Sequence, residues 1–178
     1  SDMAENWIEA LRMALFQVVT ISTTTGFATA DTSVWPTFSI LILLYLSIQG
    51  ACSGSTTGGL KVDRIWILIQ TIKVQMTKLL HPTSVVQIKV GNRRIDSDLS
   101  LSVSAYVALH FFMIIIGAIV ISAWGLDFMD SFTSSVSMMG NVGPAFGSCG
   151  SLENFSHFPG VVKVFLSLQM LLGRLEIY

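Results

Sequence analysis

Apolar stretches along the chain come in two lengths, and runs rich in Gly, Ser and Thr interrupt them at matching places. The first stretch, residues 10–21, follows Asn6-Trp7-Ile8-Glu9, which reads as a capping box with Asn6 at the N-cap and Glu9 three residues on. About 16 helical residues reach roughly 24 Å, short of the ~30 Å hydrocarbon core of a bilayer. The helix then meets Ser22-Thr23-Thr24-Thr25-Gly26-Phe27, a hydroxyl-rich run that does not favour continued helix. A half-length apolar helix running into polar backbone predicts a re-entrant loop, tolerated in a membrane where it faces water or protein.

Trp35-Pro36 opens a second apolar stretch over 38–48, with Pro suited to the first turn of a helix. That stretch runs into a break of ten residues, 50–59, and helix resumes from Leu60 to about Leu80, where His81-Pro82 ends it. Residues 81–98 are polar and basic and read as a cytoplasmic connection. Within them 85–90 alternates like a short strand, which Gly91-Asn92 breaks. Residues 99–124 form the cleanest span, long enough to cross a bilayer, with His110 as its only potentially charged group. Asp127-Phe128-Met129-Asp130 repeats the capping pattern, and a second short helix runs through Met139 into Gly140-Asn141-Val142-Gly143-Pro144-Ala145-Phe146-Gly147. An outer loop, Phe158-Pro159 and a last apolar helix to Tyr178 complete the chain.

The two halves therefore repeat one order: capped short helix, Gly-centred loop, aromatic-Pro, apolar helix. Gly26 answers Gly143, Pro36 answers Pro159, and counting on equally from each Pro reaches Gly50 and Gly173. Arg174 is the basic residue inside an otherwise apolar span, and a charge there calls for a partner. Carbonyls of the 50–59 break supply one at similar depth, so a pairing of Arg174 with that loop is expected. The competing reading has Arg174 snorkelling to the cytoplasmic surface, and Glu176 has no assigned partner.

Composition sharpens this picture. The chain is 52 % hydrophobic and 12 % charged, half the charge typical of soluble domains, which places it in a bilayer. Of ten Lys and Arg, seven (Lys61, Arg64, Lys73, Lys78, Lys89, Arg93 and Arg94) fall in one stretch. By the positive-inside rule that stretch is cytoplasmic, and the loops bearing Asp31, Asp127, Asp130 and Glu153 are outside. Apolar spans on both sides of the basic stretch argue against a nucleic-acid surface. Cys52 and Cys149 lie at different depths, against a disulfide, and His81, His110 and His157 have no metal-ligand spacing. No cleavable leader is legible at the N-terminus.

The loops suggest cation chemistry. A conducted cation exchanges water for other oxygens, and backbone carbonyls supply these without full charge. Lining carbonyls up needs unusual dihedrals, which Gly permits, and the short helices aim their negative C-terminal ends at the same place. Thr24-Thr25-Gly26-Phe27 and Asn141-Val142-Gly143-Pro144 both fit. The outer carboxylates would concentrate cations at the mouth, although each also reads as an ordinary cap or loop residue. A phosphate loop is the rival for the 50–59 break, but Gly59-Leu60-Lys61-Val62 lacks Gly-Lys-Ser/Thr and no strand precedes it.

In Thr23 to Phe27, Gly50 to Arg64, Gly140 to Gly147 and Leu172-Gly173-Arg174-Leu175-Glu176 the chain resembles the Trk/Ktr/HKT superfamily of potassium transporters, close to its bacterial TrkH-type membrane subunits. Members carry four M1–pore-loop–M2 repeats around one pore. The resemblance implies an all-α membrane protein of potassium-channel type, with re-entrant half-helices and a broken M2 helix. It implies that 1–80 is the pore helix, filter and broken M2 of repeat three. By the same resemblance 81–98 is a cytoplasmic connection, and 99–178 is M1, pore helix, filter and M2 of repeat four. Thr24, Thr25 and Gly26 would line one filter segment and Asn141, Val142 and Gly143 another, with K+ at Thr24, Thr25, Asn141 and Val142. Gly50, Ser53, Gly54, Ser55, Thr56, Thr57, Gly58 and Gly59 would form an intramembrane gate contacted by Arg174. It further implies a homodimer in the bacterial inner membrane, multi-pass, regulated by cytosolic nucleotide-binding RCK subunits for which Lys73 to Arg94 offers a docking surface. No organic cofactor is implied. Ala145 departs from the Gly that many relatives carry, and repeats one and two are absent, so these residues do not enclose a pore by themselves. Sodium conduction, a non-conducting scaffold and a membrane enzyme are the rival functions. The enzyme has no nucleophile–base set behind it, and Arg174 speaks against the scaffold.

Overall fold

The computed structural model describes residues 7–51, 54–55, 57–81, 89–90 and 93–175. In chain order it has α1 (Trp7–Ser22), α2 (Thr37–Ile48), α3 (Val62–Leu80), β1 (Lys89–Val90), β2 (Arg93–Arg94), α4 (Ser97–Ser122), α5 (Phe128–Met139) and α6 (Gly160–Arg174). A single 3-10 turn sits at Gly147–Cys149. The fold is helical apart from one small antiparallel ladder, in which Lys89 faces Arg94 and Val90 faces Arg93. The expected strand over 85–90 is thus present at Lys89–Val90 and has a partner that the alternation did not announce. Gly91-Asn92 and 82–88 lie outside the described residues, as does Asn6 of the first capping box.

Local chemistry accounts for most boundaries. Pro36 and Pro159 stand directly before α2 and α6 with nearly the same dihedrals (φ −55°, ψ 142° and φ −56°, ψ 147°), since the ring presets φ. The Asp127 carboxylate accepts from the Met129 amide at 3.2 Å and caps α5. Asp130 does not close the expected box, because its carboxylate turns instead to Ser148. At the end of α3 the His81 amide donates to Thr77 O at 2.8 Å, directly ahead of Pro82.

α4, with 26 residues, extends about 39 Å, long enough to cross a hydrocarbon core of ~30 Å. Among the described residues, Asp98–Ser122 is the one stretch of helix both long and apolar enough to span a membrane. α5 lies at the centre, with α4, α6 and α2 packed around it; α3 runs along α4, and α1 leans on α2. In lipid, helices gain little from hiding apolar surface from each other, so close approach and buried polar contacts hold them together. The α4–α5–α6 crossing shows both. Gly117 has no side chain where Ser135 and Gln169 press in. Ser135 Oγ donates to Ile114 O at 2.8 Å, and Gln169 Nε2 donates to Ser135 Oγ at 2.7 Å. Around this knot pack Ile114, Val136 and Met139 on one side and Ile121, Met138, Val162 and Leu166 on the other.

Candidate functional site: two loops and a broken helix

α1 and α5 end in the same turn. Thr23 N donates to Val19 O (3.0 Å), Thr24 N to Ile21 O (3.0 Å) and Thr25 N to Thr20 O (2.9 Å). In register with these, Gly140 N donates to Val136 O (2.9 Å), Asn141 N to Met138 O (3.1 Å) and Val142 N to Ser137 O (2.9 Å). This is a Schellman cap, with Thr24 (φ 53°) and Asn141 (φ 57°) in the left-handed position that it requires. Two residues further on, Gly26 (φ 78°) and Gly143 (φ 104°) again have positive φ. The sequence pairing of Gly26 with Gly143 therefore extends to the backbone of three consecutive residues.

Among the described residues, no donor is bonded to the carbonyl oxygen of Thr24, Thr25, Gly26, Asn141, Val142 or Gly143. Val142 is buried, and a buried carbonyl normally has a partner. The negative ends of α1 and α5 point at the same two loops.

The loops meet each other. A Cβ on Gly26 would strike the Val142 carbonyl oxygen, so only Gly lets the first loop lie this close to the second. Outside them, Ser151 Oγ accepts from Thr32 N at 3.1 Å and donates to Ala30 O at 2.9 Å, clasping one outer loop to the other.

The break after α2 sits against the second loop. Leu60 N donates to Ile48 O at 3.0 Å, and Gln49 and Leu60 form a parallel bridge, so the break is a closed excursion. Inside it Ala51 N donates to Thr57 Oγ1 at 3.2 Å and Thr57 N to Ser55 Oγ at 3.4 Å, while Gly54 and Gly59 take positive φ. Gly50 lies against the Gly58 carbonyl. Ser53 and Thr56, expected in the gate, lie outside the described residues, as does Cys52. A Cβ on Gly58 would come within 2.6 Å of Gly140 O and 2.9 Å of Asn141 Cβ. Gly173 meets the Met139 carbonyl, and Asn141 Nδ2 donates to Met170 O at 3.1 Å, so Asn141 joins break, loop and α6. Arg174 is the last residue of α6, next to that contact, with an exposed side chain. Glu176 lies outside the described residues.

Three of the four carboxylates expected outside have local jobs. Asp127 caps α5. Asp31 accepts from Ser33 Oγ (2.6 Å) and Ser33 N (2.9 Å), and these bonds, the hydroxyl's first, hold its pKa below the usual 3.8. Asp130 is buried and accepts from Ser148. Glu153 is exposed. Cys149 is a buried free thiol, and the described residues hold no cluster of His, Cys, Asp and Glu fit for a metal ion. Sequence reasoning missed the Ser151 clasp, the Asn141 amide and the packing role of Gly58. The signal available for the last two was the density of Gly opposite a polar residue.

The family model described as "TrkH: Cation transport protein" matches residues 6–178. The Trk system potassium uptake protein TrkH of Halomonas elongata is 36 % identical over 175 residues, covering 96 % of this chain and 35 % of that protein. Its namesake in Escherichia coli K12 is 36 % identical over 168 residues, covering 94 % of this chain and 34 % of that protein. The crystal structure of the potassium transporter TrkH from Vibrio parahaemolyticus superposes with a TM-score of 0.88 at 33 % identity, covering 98 % of this chain and 37 % of that one. The chain thus spans about a third of the length of the relatives it matches.

Proposed function

Because the chain belongs to the TrkH family of cation transport proteins, we propose that it forms two of the pore-loop units of a potassium transporter. In this reading 1–80 is the pore helix, filter and broken M2 of the third unit, 81–98 the cytoplasmic connection, and 99–178 the complete fourth unit. The whole transporter sits multi-pass in a bacterial inner membrane, as a homodimer with cytosolic nucleotide-binding RCK-type subunits. It encloses its pore with the help of further repeats.

The observation that carries the reading is the paired run of carbonyls at Thr24–Thr25–Gly26 and Asn141–Val142–Gly143, to which no described residue donates, each at the negative end of a short helix. A dehydrated K+ passing these loops would exchange water for those oxygens. Gly58, within the break, packs against the start of the second loop, where a gate would act, and Arg174 follows Gly173, which lies against the Met139 carbonyl. The carbonyls of the break are suited to receive that guanidinium.

The test is K+ and Na+ flux into liposomes bearing the complete transporter, with and without Gly143→Ser. A Cβ at Gly143 meets nothing within 4 Å, yet φ there is 104°, so the substitution challenges backbone conformation and not space. Flux that falls or loses K+ preference supports the filter. Flux identical to the parent removes the second loop from the conduction path.

A further inference from the structure

The Asp130 carboxylate, which the sequence offers as a charge at the outer mouth or as an ordinary cap residue, is buried and spends its oxygens on the loop. Oδ1 accepts from Ser148 N at 2.8 Å, and Oδ2 accepts from the Ser148 hydroxyl. A hydroxyl has one proton, already given to Asp130, so the Ser148 Oγ···His157 Nε2 contact at 3.0 Å has the imidazole as donor. Gly147, just ahead, has φ 82° and no room for a Cβ beside Asp130 Oδ1. The same loop is tied nearer the filter run by Ser137 Oγ, which donates to Pro144 O at 2.6 Å, and by Thr133 Oγ1, which accepts from Phe146 N at 3.2 Å. Asp130, Thr133 and Ser137 follow one another along α5, so one helix face carries three successive anchors for the chain that leaves Gly143. The position on α1 in register with Asp130 is Met13, which offers the first loop nothing comparable.

We infer that Asp130 is a positioning residue for ion selection: with Ser148 and His157 it fixes the outer limb of the second loop, and so sets the spacing of the carbonyls at Asn141, Val142 and Gly143. This rests on the filter reading above. Carbonyls discriminate between ions of different size only if their positions are held, and a charge-assisted bond to a backbone amide holds better than a neutral one. The role differs from electrostatic attraction at the mouth, which any carboxylate in the area would serve and which salt screens.

Four variants of the complete transporter separate the two, each read as the K+/Na+ flux ratio in liposomes at low and high ionic strength. Asp130→Ala removes charge and acceptor together; Asp130→Asn keeps an acceptor for the Ser148 amide. Ser148→Ala keeps the charge and loses the hydroxyl, and Gly143→Ser is the control on the filter. Anchoring predicts a ratio lowered about tenfold in Asp130→Ala, the scale of one lost, partly buried charge-assisted bond. It predicts a smaller loss in Asp130→Asn and in Ser148→Ala, all three independent of salt. Equal effects of the two Asp130 variants on flux, an unchanged ratio and recovery at high salt would overturn it in favour of a mouth charge. An unchanged ratio in Ser148→Ala also overturns it, and decides the matter if Asp130→Ala does not assemble. Amide hydrogen exchange at Ser148 gives a readout free of the filter premise. If Gly143→Ser is silent while Ser148 exchange still rises in Asp130→Ala and less in Asp130→Asn, the filter reading fails and the anchor stands. If exchange is unmoved, the anchor itself is wrong.

Discussion

The two loops share their backbone and differ in what supports it. Each leaves a short helix through the same cap and turns at a Gly with positive φ. Behind the second loop, α5 is buried from Thr133 through Gly140 and ties the loop down with its own side chains. Behind the first, α1 buries Gln17, Thr20 and Ile21 and leaves Trp7, Ile8, Leu11 and Leu15 exposed. Gln17 Nε2 reaches Ala30 O at 3.1 Å, while Thr20 Oγ1, in register with the anchoring Ser137, is buried without a hydrogen-bond partner among the described residues. The first loop takes much of its restraint from the second unit, through Val142 and Ser151. Local capping chemistry is thus sufficient to write the loop's shape, whereas its rigidity depends on neighbours.

This contrast can be broken most severely at the two glycines. Gly26→Ala meets both an unfavourable φ and the Val142 carbonyl, whereas Gly143→Ala meets only the first, about 1–2 kcal/mol. Gly26→Ala is expected to abolish K+ uptake by cells that depend on the transporter, and Gly143→Ala to reduce it. Equal phenotypes would mean that the loops are not pressed together in the assembled protein.

Exchanging the cap residues comes next. Thr is β-branched and poorly suited to the left-handed position, while Asn is among the residues that tolerate it. Asn141→Thr is expected to lower the melting temperature of the detergent-purified transporter by strain plus loss of the bond to Met170 O, about 2 kcal/mol together. Thr24→Asn should raise it slightly. Opposite signs would refute the equivalence of the two caps.

A smaller effect belongs to Ser151→Ala, which leaves Thr32 N without its side-chain partner and loosens the clasp by about 1 kcal/mol. Faster exchange of the Thr32 amide, with the α5 amides unchanged, would locate the restraint between the units. Protection at Thr32 equal to the parent would mean that the clasp does not form.

The smallest concerns Asp31. Its folded pKa is depressed by Ser33, so its contribution is present above the unfolded value near 3.8 and fades as pH falls through the lower folded value. The group is partly exposed, so the difference between parent and Asp31→Asn in melting temperature should be slight at neutral pH and vanish in strong acid. A difference growing toward acid would have the wrong sign.

The sequence was most informative where the rule is local. Pro36 and Pro159 mark helix starts, Asp127 is a cap, and the Gly-rich run from Gly50 ends α2 early. The span expected at 99–124 is α4, shifted by two residues at each end, which is ordinary fraying. What stayed hidden needs two distant segments at once: β2 opposite β1, Ser148 opposite Asp130, Gly58 opposite Asn141. Asp130 is instructive, since its place three residues into a cap pattern suggested a bond back to Asp127. Nothing on α5 itself announces that a turn of the outer loop offers two better donors.

Gly26, Gly58, Gly140 and Gly173 each lie against a main-chain oxygen of another segment, so at the centre of the molecule backbone touches backbone directly. Such a seam has no side chain to trim or exchange, and a second-site change has little to compensate with. For laboratory evolution, this part of the protein is therefore close to immutable. If the second loop is a filter, as proposed, variants with altered ion preference should be sought in the layer behind it, where Ser137, Thr133, Asp130 and Ser148 can be exchanged one at a time while the seam is kept.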